Sequence, residues 1–319
     1  MGYVLWVEGI VTLTYPHVLL NFRCWMGEVG GGDRVFQMCT KALKHGYRHF
    51  DTASGYGNEK EVGEAIKASG IPRDEIYVTT KLPNTAHHKV QEAFEESLAN
   101  LDCGYVDLYL MHWPQASIED SSGNVKVLGP EEHPTIVDTW KAMEKLLETG
   151  KVKTIGVSNF SIKTLTQLLP HCTVIPATNQ VELQPCLPQD DLKVFCESKG
   201  ILLTAYSPLG RSSTLLQDPI VTSISDALNI TPAQVVLSWG VQRGTIVVPK
   251  SEDNERMKAN LELVELGDEH MTPLSKLHLQ PGQHKSLLKY HNTDPGRIFG
   301  WTYEDMGWNM LPGGIVPPA

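Results

Sequence analysis

Three apolar runs in this chain end on ionisable residues. Tyr47-Arg48-His49-Phe50-Asp51, Ile76-Tyr77-Val78-Thr79-Thr80-Lys81 and Val106-Asp107-Leu108-Tyr109-Leu110-Met111-His112 pass from apolar, β-branched or aromatic residues to Asp51, Lys81 and His112. Tyr56 follows Asp51 after the small residues Ala53-Ser54-Gly55. If the three strands lie side by side and parallel, all four side chains converge at one end of a sheet. A phenol beside an ammonium suits a general acid, because the positive charge favours the phenolate and lowers a pKa that is ordinarily ~10. Asp51 would hold the lysine charged and in place, and His112 would orient a substrate oxygen. Such a set suits carbonyl chemistry.

Positioning these residues requires a parallel sheet. Strand patterns fall near residues 17–22, 47–51, 76–80, 106–111, 154–158, 176–180, 201–206 and 245–248. Helical patterns alternate with them at 33–45, 59–69, 89–101, 135–149, 161–169, 188–198 and 232–242, and another follows the last strand at 253–263. Gly46, Gly70, Gly150 and Gly200 close four of the helices, where a left-handed residue belongs. Strict alternation argues for parallel strands, and eight units predict a single (β/α)8 TIM barrel, which places its active site at the strand C-termini. Two connections at that end are long: the one after Trp113, and the one after Tyr206 through Ser207-Pro208-Leu209-Gly210-Arg211. The tail from Leu277 onward is loop-like yet carries Phe299, Trp301, Tyr303 and Trp308. It is expected either to pack on the barrel or to fold over its mouth.

Composition narrows the function. The chain has 319 residues, 41% hydrophobic and 20% charged, with a formal net charge of −10. That is ordinary globular material, and no basic stripe marks a nucleic-acid or membrane-surface partner. Six cysteines without CxxC spacing read as reduced thiols of a cytoplasmic enzyme. Residues 1–20 are apolar only in patches, broken by Glu8, Pro16 and His17, which suits neither a signal peptide nor a membrane anchor. No G-x-G-x-x-G follows any strand, which disfavours a Rossmann dinucleotide fold.

The motifs carry a family resemblance. Phe50-Asp51-Thr52-Ala53-Ser54-Gly55-Tyr56-Gly57-Asn58-Glu59 resembles the first signature of the aldo-keto reductases, and Leu108-Tyr109-Leu110-Met111-His112-Trp113-Pro114 resembles their substrate-histidine strand. Gly156-Val157-Ser158-Asn159-Phe160, Asn179-Gln180, Ala205-Tyr206-Ser207-Pro208-Leu209-Gly210 and Val248-Pro249-Lys250-Ser251 match further blocks in order. The resemblance spans residue 25 to about 310. It implies a barrel that reduces carbonyls with NADPH, with Tyr56 as proton donor, Lys81 and Asp51 behind it, and His112 on the carbonyl oxygen. Trp25 and Trp113, with the ring of Tyr56, would wall the substrate pocket.

On the cofactor side, Ser158, Asn159 and Gln180 suit a carboxamide, and Tyr206 offers a face for the nicotinamide ring. Lys250, Ser251 and Arg256 follow strand eight, the usual phosphate position of such barrels, and their charge suits the 2′-phosphate of NADPH. The family pattern adds Ser207 and Leu209, and brings Asn260 to the adenine. Residues 1–24 depart from the pattern: Arg23 and Cys24 stand where the family has glycine and threonine beside the nicotinamide. The domain reading is thus a divergent segment, 1–24, followed by the barrel and its tail, 25–319.

The tail is similar to that of glycerol dehydrogenase-type and sugar-aldehyde-reducing members. The expected activity is therefore reduction of small polyol-related carbonyls, or its reverse, by a monomer that needs no metal. Two alternatives stand against it. One is an NADPH-binding barrel serving as a redox-sensing regulatory subunit with little turnover. The other, a metal-dependent barrel hydrolase, lacks its His/Asp cluster.

Overall fold

The computed structural model describes residues 32–211 and 214–317, together with the backbone of Leu20 and Asn21. Eight strands form one sheet: β1 (Leu20–Asn21), β2 (His49–Asp51), β3 (Tyr77–Leu82), β4 (Val106–Met111), β5 (Val152–Ser158), β6 (Thr178–Glu182), β7 (Leu202–Tyr206) and β8 (Ile246–Val248). They are hydrogen-bonded in chain order, and the pairs are parallel. This is the (β/α)8 barrel that the alternation predicts. Nearly every strand residue after the first is buried, as parallel strands covered on both faces must be. Of the expected first strand, only Leu20 and Asn21 fall within the described residues, paired with Phe50 and Asp51. Arg23, Cys24 and Trp25 lie outside them.

The helices follow the sequence pattern to within a few residues: α1 (Asp33–Lys44), α2 (Glu59–Ala68), α3 (Val90–Leu101), α4 (Ile136–Leu146), α5 (Ile162–Leu168) and α6 (Asp190–Ser198). Gly46, Gly70, Gly150 and Gly200 all have φ in the left-handed region. The long connection after Tyr206 contains a helix that the sequence pattern left out, α7 (Pro219–Leu228). The Asp218 carboxylate accepts the Ile220 N–H at 2.9 Å, Pro219 opens the first turn, and Asn229 ends the helix in the left-handed region. After it come α8 (Pro232–Gln242), α9 (Asn254–Ala259) and α10 (Asp268–Ser275).

Helices α2 and α3 approach closely at Gly63. A Cβ on Gly63 would sit 1.9 Å from the carbonyl oxygen of Leu101, a backbone atom that cannot swing aside. Gly63→Ala is therefore expected to part the two helices and to cost about 1–3 kcal/mol. Thermal or urea unfolding measures this, and an unchanged midpoint would mean that the helices separate freely.

The tail is mostly irregular, with short elements at Leu277–Leu279, Tyr290–Thr293, Arg297–Ile298, Trp301–Thr302 and Tyr303–Met306. It packs against the connection that follows β4, which carries a small hairpin of Ser117–Glu119 and Val125–Val127. The indole N–H of Trp301 donates to Leu128 O at 2.7 Å, and the Gln115 amide donates to Ile298 O at 2.8 Å. The tail thus lies on the strand C-terminal side of the barrel. Among the described residues no single helix is long and apolar enough to cross a membrane. Cys39, Cys103, Cys172, Cys186 and Cys196 are free thiols.

Candidate active site

Lys81 is fully buried, an expensive place for a cation unless it is well partnered. Its ammonium pairs with Asp51 on the neighbouring strand and donates to the backbone oxygen of Thr52 at 2.7 Å. The second oxygen of Asp51 accepts the side-chain amide of Gln180 at 2.6 Å, from β6. Both ions therefore have partners beyond each other. Neighbouring strands in parallel register bring this about: Asp51 faces Thr79, two residues before Lys81 on the same face of β3.

Tyr56 sits above this pair. It ends a short 3-10 turn, Ser54–Tyr56, closed by the left-handed Gly57. The Lys81 ammonium lies 5.3 Å from the centre of the Tyr56 ring, within range of a cation–π attraction. The ring also meets His112 in a T-shaped arrangement, with centroids 5.6 Å apart and an interplanar angle of 78°. Tyr56 and His112 are both partly exposed. The four residues singled out from the strand ends do come together, with the Tyr56 ring near both the ammonium and the imidazole.

The next strand ends are bound to one another. Asn159, in the left-handed region at φ 65°, donates its amide to His112 O at 2.9 Å and to Ser158 Oγ at 3.1 Å. Its side-chain oxygen accepts the Tyr206 hydroxyl at 2.7 Å, and Ser158 Oγ donates to Gln180 O at 2.8 Å. Ser158, Asn159, Gln180 and Tyr206 thus form one buried polar arc running from β4 to β7. Ser207 accepts a hydrogen bond from Arg211 Nε at 3.0 Å, and Leu209 packs half-buried nearby.

A cationic corner follows β8. Lys250 pairs with Glu252, which also accepts from Nε and Nη2 of Arg34 on α1, at 2.7 and 2.9 Å. The hydrogen bonds from Arg34 lead in pulling the Glu252 carboxyl down to about 2, partial burial opposes them, and Lys250 adds to the effect. Ser251 is buried against Asp253, whose side chain caps α9 at the Arg256 N–H. The Arg256 guanidinium is exposed, and Asn260 is buried. Glu252 and Arg34 escaped the sequence reading. The only available signal was an acidic residue two positions after Lys250.

Trp113 is enclosed by aromatics of the tail. Its ring centre lies 5.0 Å from Phe299 and 6.3 Å from both Tyr290 and Trp308. This wall stands next to His112, whose ring is 6.5 Å from that of Trp113. The aromatic content of an otherwise loop-like tail was its trace in the sequence. The site as a whole is a polar floor of Asp51, Lys81, Tyr56 and His112 beside an apolar side wall, the usual construction of a small-molecule pocket.

Comparisons with known proteins agree with this architecture. The family model described as the aldo/keto reductase family matches residues 31–278. The chain is 44% identical over 300 residues to glycerol 2-dehydrogenase (NADP(+)) of Saccharomyces cerevisiae, covering 88% of this chain and 96% of that one. It is 42% identical to D-galacturonate reductase of Hypocrea jecorina, covering 87% and 92% of the two chains. Among solved structures, aldose reductase of Schistosoma japonicum superposes with a TM-score of 0.74 at 38% identity, over 83% of this chain and 89% of that one. With the barrel, the strand-end residues and the matched span in agreement, the chain belongs to the aldo/keto reductase family of oxidoreductases.

Proposed function

We propose that this protein reduces small aldehydes and ketones, sugar-derived or polyol-related, to alcohols with NADPH. The observation that carries this reading is the Tyr56 ring in contact range of both the buried Lys81 ammonium and the His112 ring. Tyr56 is the proton donor to the carbonyl oxygen, and Lys81, held by Asp51, supplies the field that favours the phenolate left behind. His112 orients that oxygen. Trp113 and its aromatic neighbours pack the remainder of the substrate.

The residues present fit a phosphate-bearing nicotinamide cofactor. Lys250 and Arg256 offer charge, Ser251 a hydroxyl beside them, and Asn260 a buried amide. Lys250 would exchange the Glu252 carboxylate for the 2′-phosphate, with Arg256 joining it. Ser158, Asn159 and Gln180 would hold the carboxamide end, Tyr206 the ring, and Ser207 and Leu209 the span between. NADPH supplies the hydride when bound. Two relatives named as an NADP(+) dehydrogenase and a galacturonate reductase support the substrate and cofactor classes.

Loss of NADPH absorbance with a panel of aldehydes, ketoses and uronic acids tests the proposal. Turnover of at least one class is expected. Tight NADPH binding with no turnover across the panel would leave the redox-sensing subunit as the better reading.

Cofactor choice can be tested separately. Lys250→Met or Arg256→Leu is expected to weaken NADPH much more than NADH, because only NADPH carries the 2′-phosphate. A charge-assisted contact is worth roughly 1.5–3 kcal/mol, so each variant should lose about tenfold or more in affinity for NADPH. Fluorescence titration with both cofactors decides it, and equal losses would remove the phosphate role.

A further inference from the structure

Glu182, the last residue of β6, is buried and faces the tail. Its carboxylate accepts the Ser286 hydroxyl at 2.6 Å and the Leu287 N–H at 2.7 Å. Ser286 Oγ meets His291 Nε2 at 2.7 Å, and His291 Nδ1 meets the Tyr303 hydroxyl at 2.6 Å. Ser286, His291 and Tyr303 are buried as well.

Proton counting sets the direction of this series. Ser286 has one hydroxyl hydrogen, and the carboxylate takes it. His291 must then donate from Nε2 to Ser286 Oγ, which leaves Nδ1 to accept from Tyr303. The imidazole is therefore neutral, in agreement with burial pushing its pKa down to about 4. A serine, a histidine and a carboxylate at such distances invite comparison with a nucleophile set. The order is wrong for one, since the carboxylate holds the serine and the histidine donates to it.

The series leads instead to the aromatic wall. Trp308 lies 6.1 Å from the His291 ring, 6.4 Å from Tyr303 and 6.3 Å from Trp113. Gly314 closes the far end: its carbonyl accepts the Ser286 N–H at 2.8 Å, and a Cβ there would lie 2.5 Å from His291 Cδ2.

We propose that Glu182, Ser286, His291 and Tyr303 are positioning residues for substrate selection. They latch the tail to the end of β6 and so hold Trp308 against Trp113, fixing the wall that receives the non-reacting part of an aromatic carbonyl. This rests on the reading of the mouth as a carbonyl site. Because each group is buried, losing one member leaves a hydrogen-bonding atom of its neighbour unsatisfied, and the latch opens as a unit.

Ser286→Ala and Gly314→Ala test it, the first by removing the central hydroxyl and the second by crowding His291 while keeping every polar group. The substrates are para-nitrobenzaldehyde and glyceraldehyde, and hydrogen exchange is followed over residues 284–317. For both variants KM for the aromatic aldehyde is expected to rise about tenfold, the effect of one lost charge-assisted hydrogen bond in Ser286→Ala and of pushing His291 off Ser286 in Gly314→Ala. Their kcat with glyceraldehyde and NADPH affinity should hold while tail exchange quickens, and Ser286→Thr should restore the parent behaviour. Unchanged KM with a lower unfolding temperature would overturn the proposal, as would equal increases in KM for the two aldehydes. A parent protein inactive on every carbonyl would sink the underlying reading instead. Tail exchange would then decide the latch alone, and a rate unchanged in Ser286→Ala would overturn it.

Discussion

Tyr56→Phe is expected to lower carbonyl reduction by ~10²–10⁴-fold, the usual contribution of one positioned acid, and to leave NADPH affinity nearly intact. The variant keeps the ring, so its packing against His112 and its approach to Lys81 persist, and only the hydroxyl is lost. The cationic corner after β8 is untouched. Steady-state kinetics and a cofactor titration separate the two effects. Retention of more than about a tenth of the parent kcat would show that another group supplies the proton.

Lys81→Met should abolish turnover and also weaken the fold. Asp51 would keep its bond from Gln180 but lose its counter-ion, and an uncompensated buried charge costs about 3–5 kcal/mol. A second variant separates the two consequences. Lys81→Met combined with Asp51→Leu removes both charges, and apolar replacement of a buried pair is often neutral or stabilising. Stability is therefore expected to recover in the double variant while activity does not. Urea unfolding and turnover measure the two sides. Substantial activity in either variant would show that the lysine has no part in the chemistry.

Much of this candidate site was visible along the chain because a parallel barrel strand writes itself as an apolar run, here with an ionisable residue at its end. Asp51, Lys81 and His112 follow that rule, and glycines such as Gly70 and Gly200 mark where the preceding helices stop. Helix α7 carried its own signals in Asp218, Pro219 and Asn229, yet it stands outside the strand–helix alternation and was absorbed into a long connection. Other features leave no local trace. Glu252 and Arg34 are 218 positions apart, and Glu182 and Ser286 are 104 apart. Nothing near either partner announces the other, since the barrel alone brings them together. The expectation for Arg23 and Cys24 concerns positions outside the described residues.

The hydrogen bond from Gln180 to Asp51 joins strands four places apart in the sheet order and residues 129 positions apart in the chain. A nascent chain that has delivered only β1 to β5 can bring Lys81 to Asp51, but the remaining carboxylate oxygen has to stay wet. Water leaves the pair only when the second half of the barrel arrives with its amide. Complete partnering of the buried Lys81–Asp51 pair therefore depends on the second half of the barrel as well as the first.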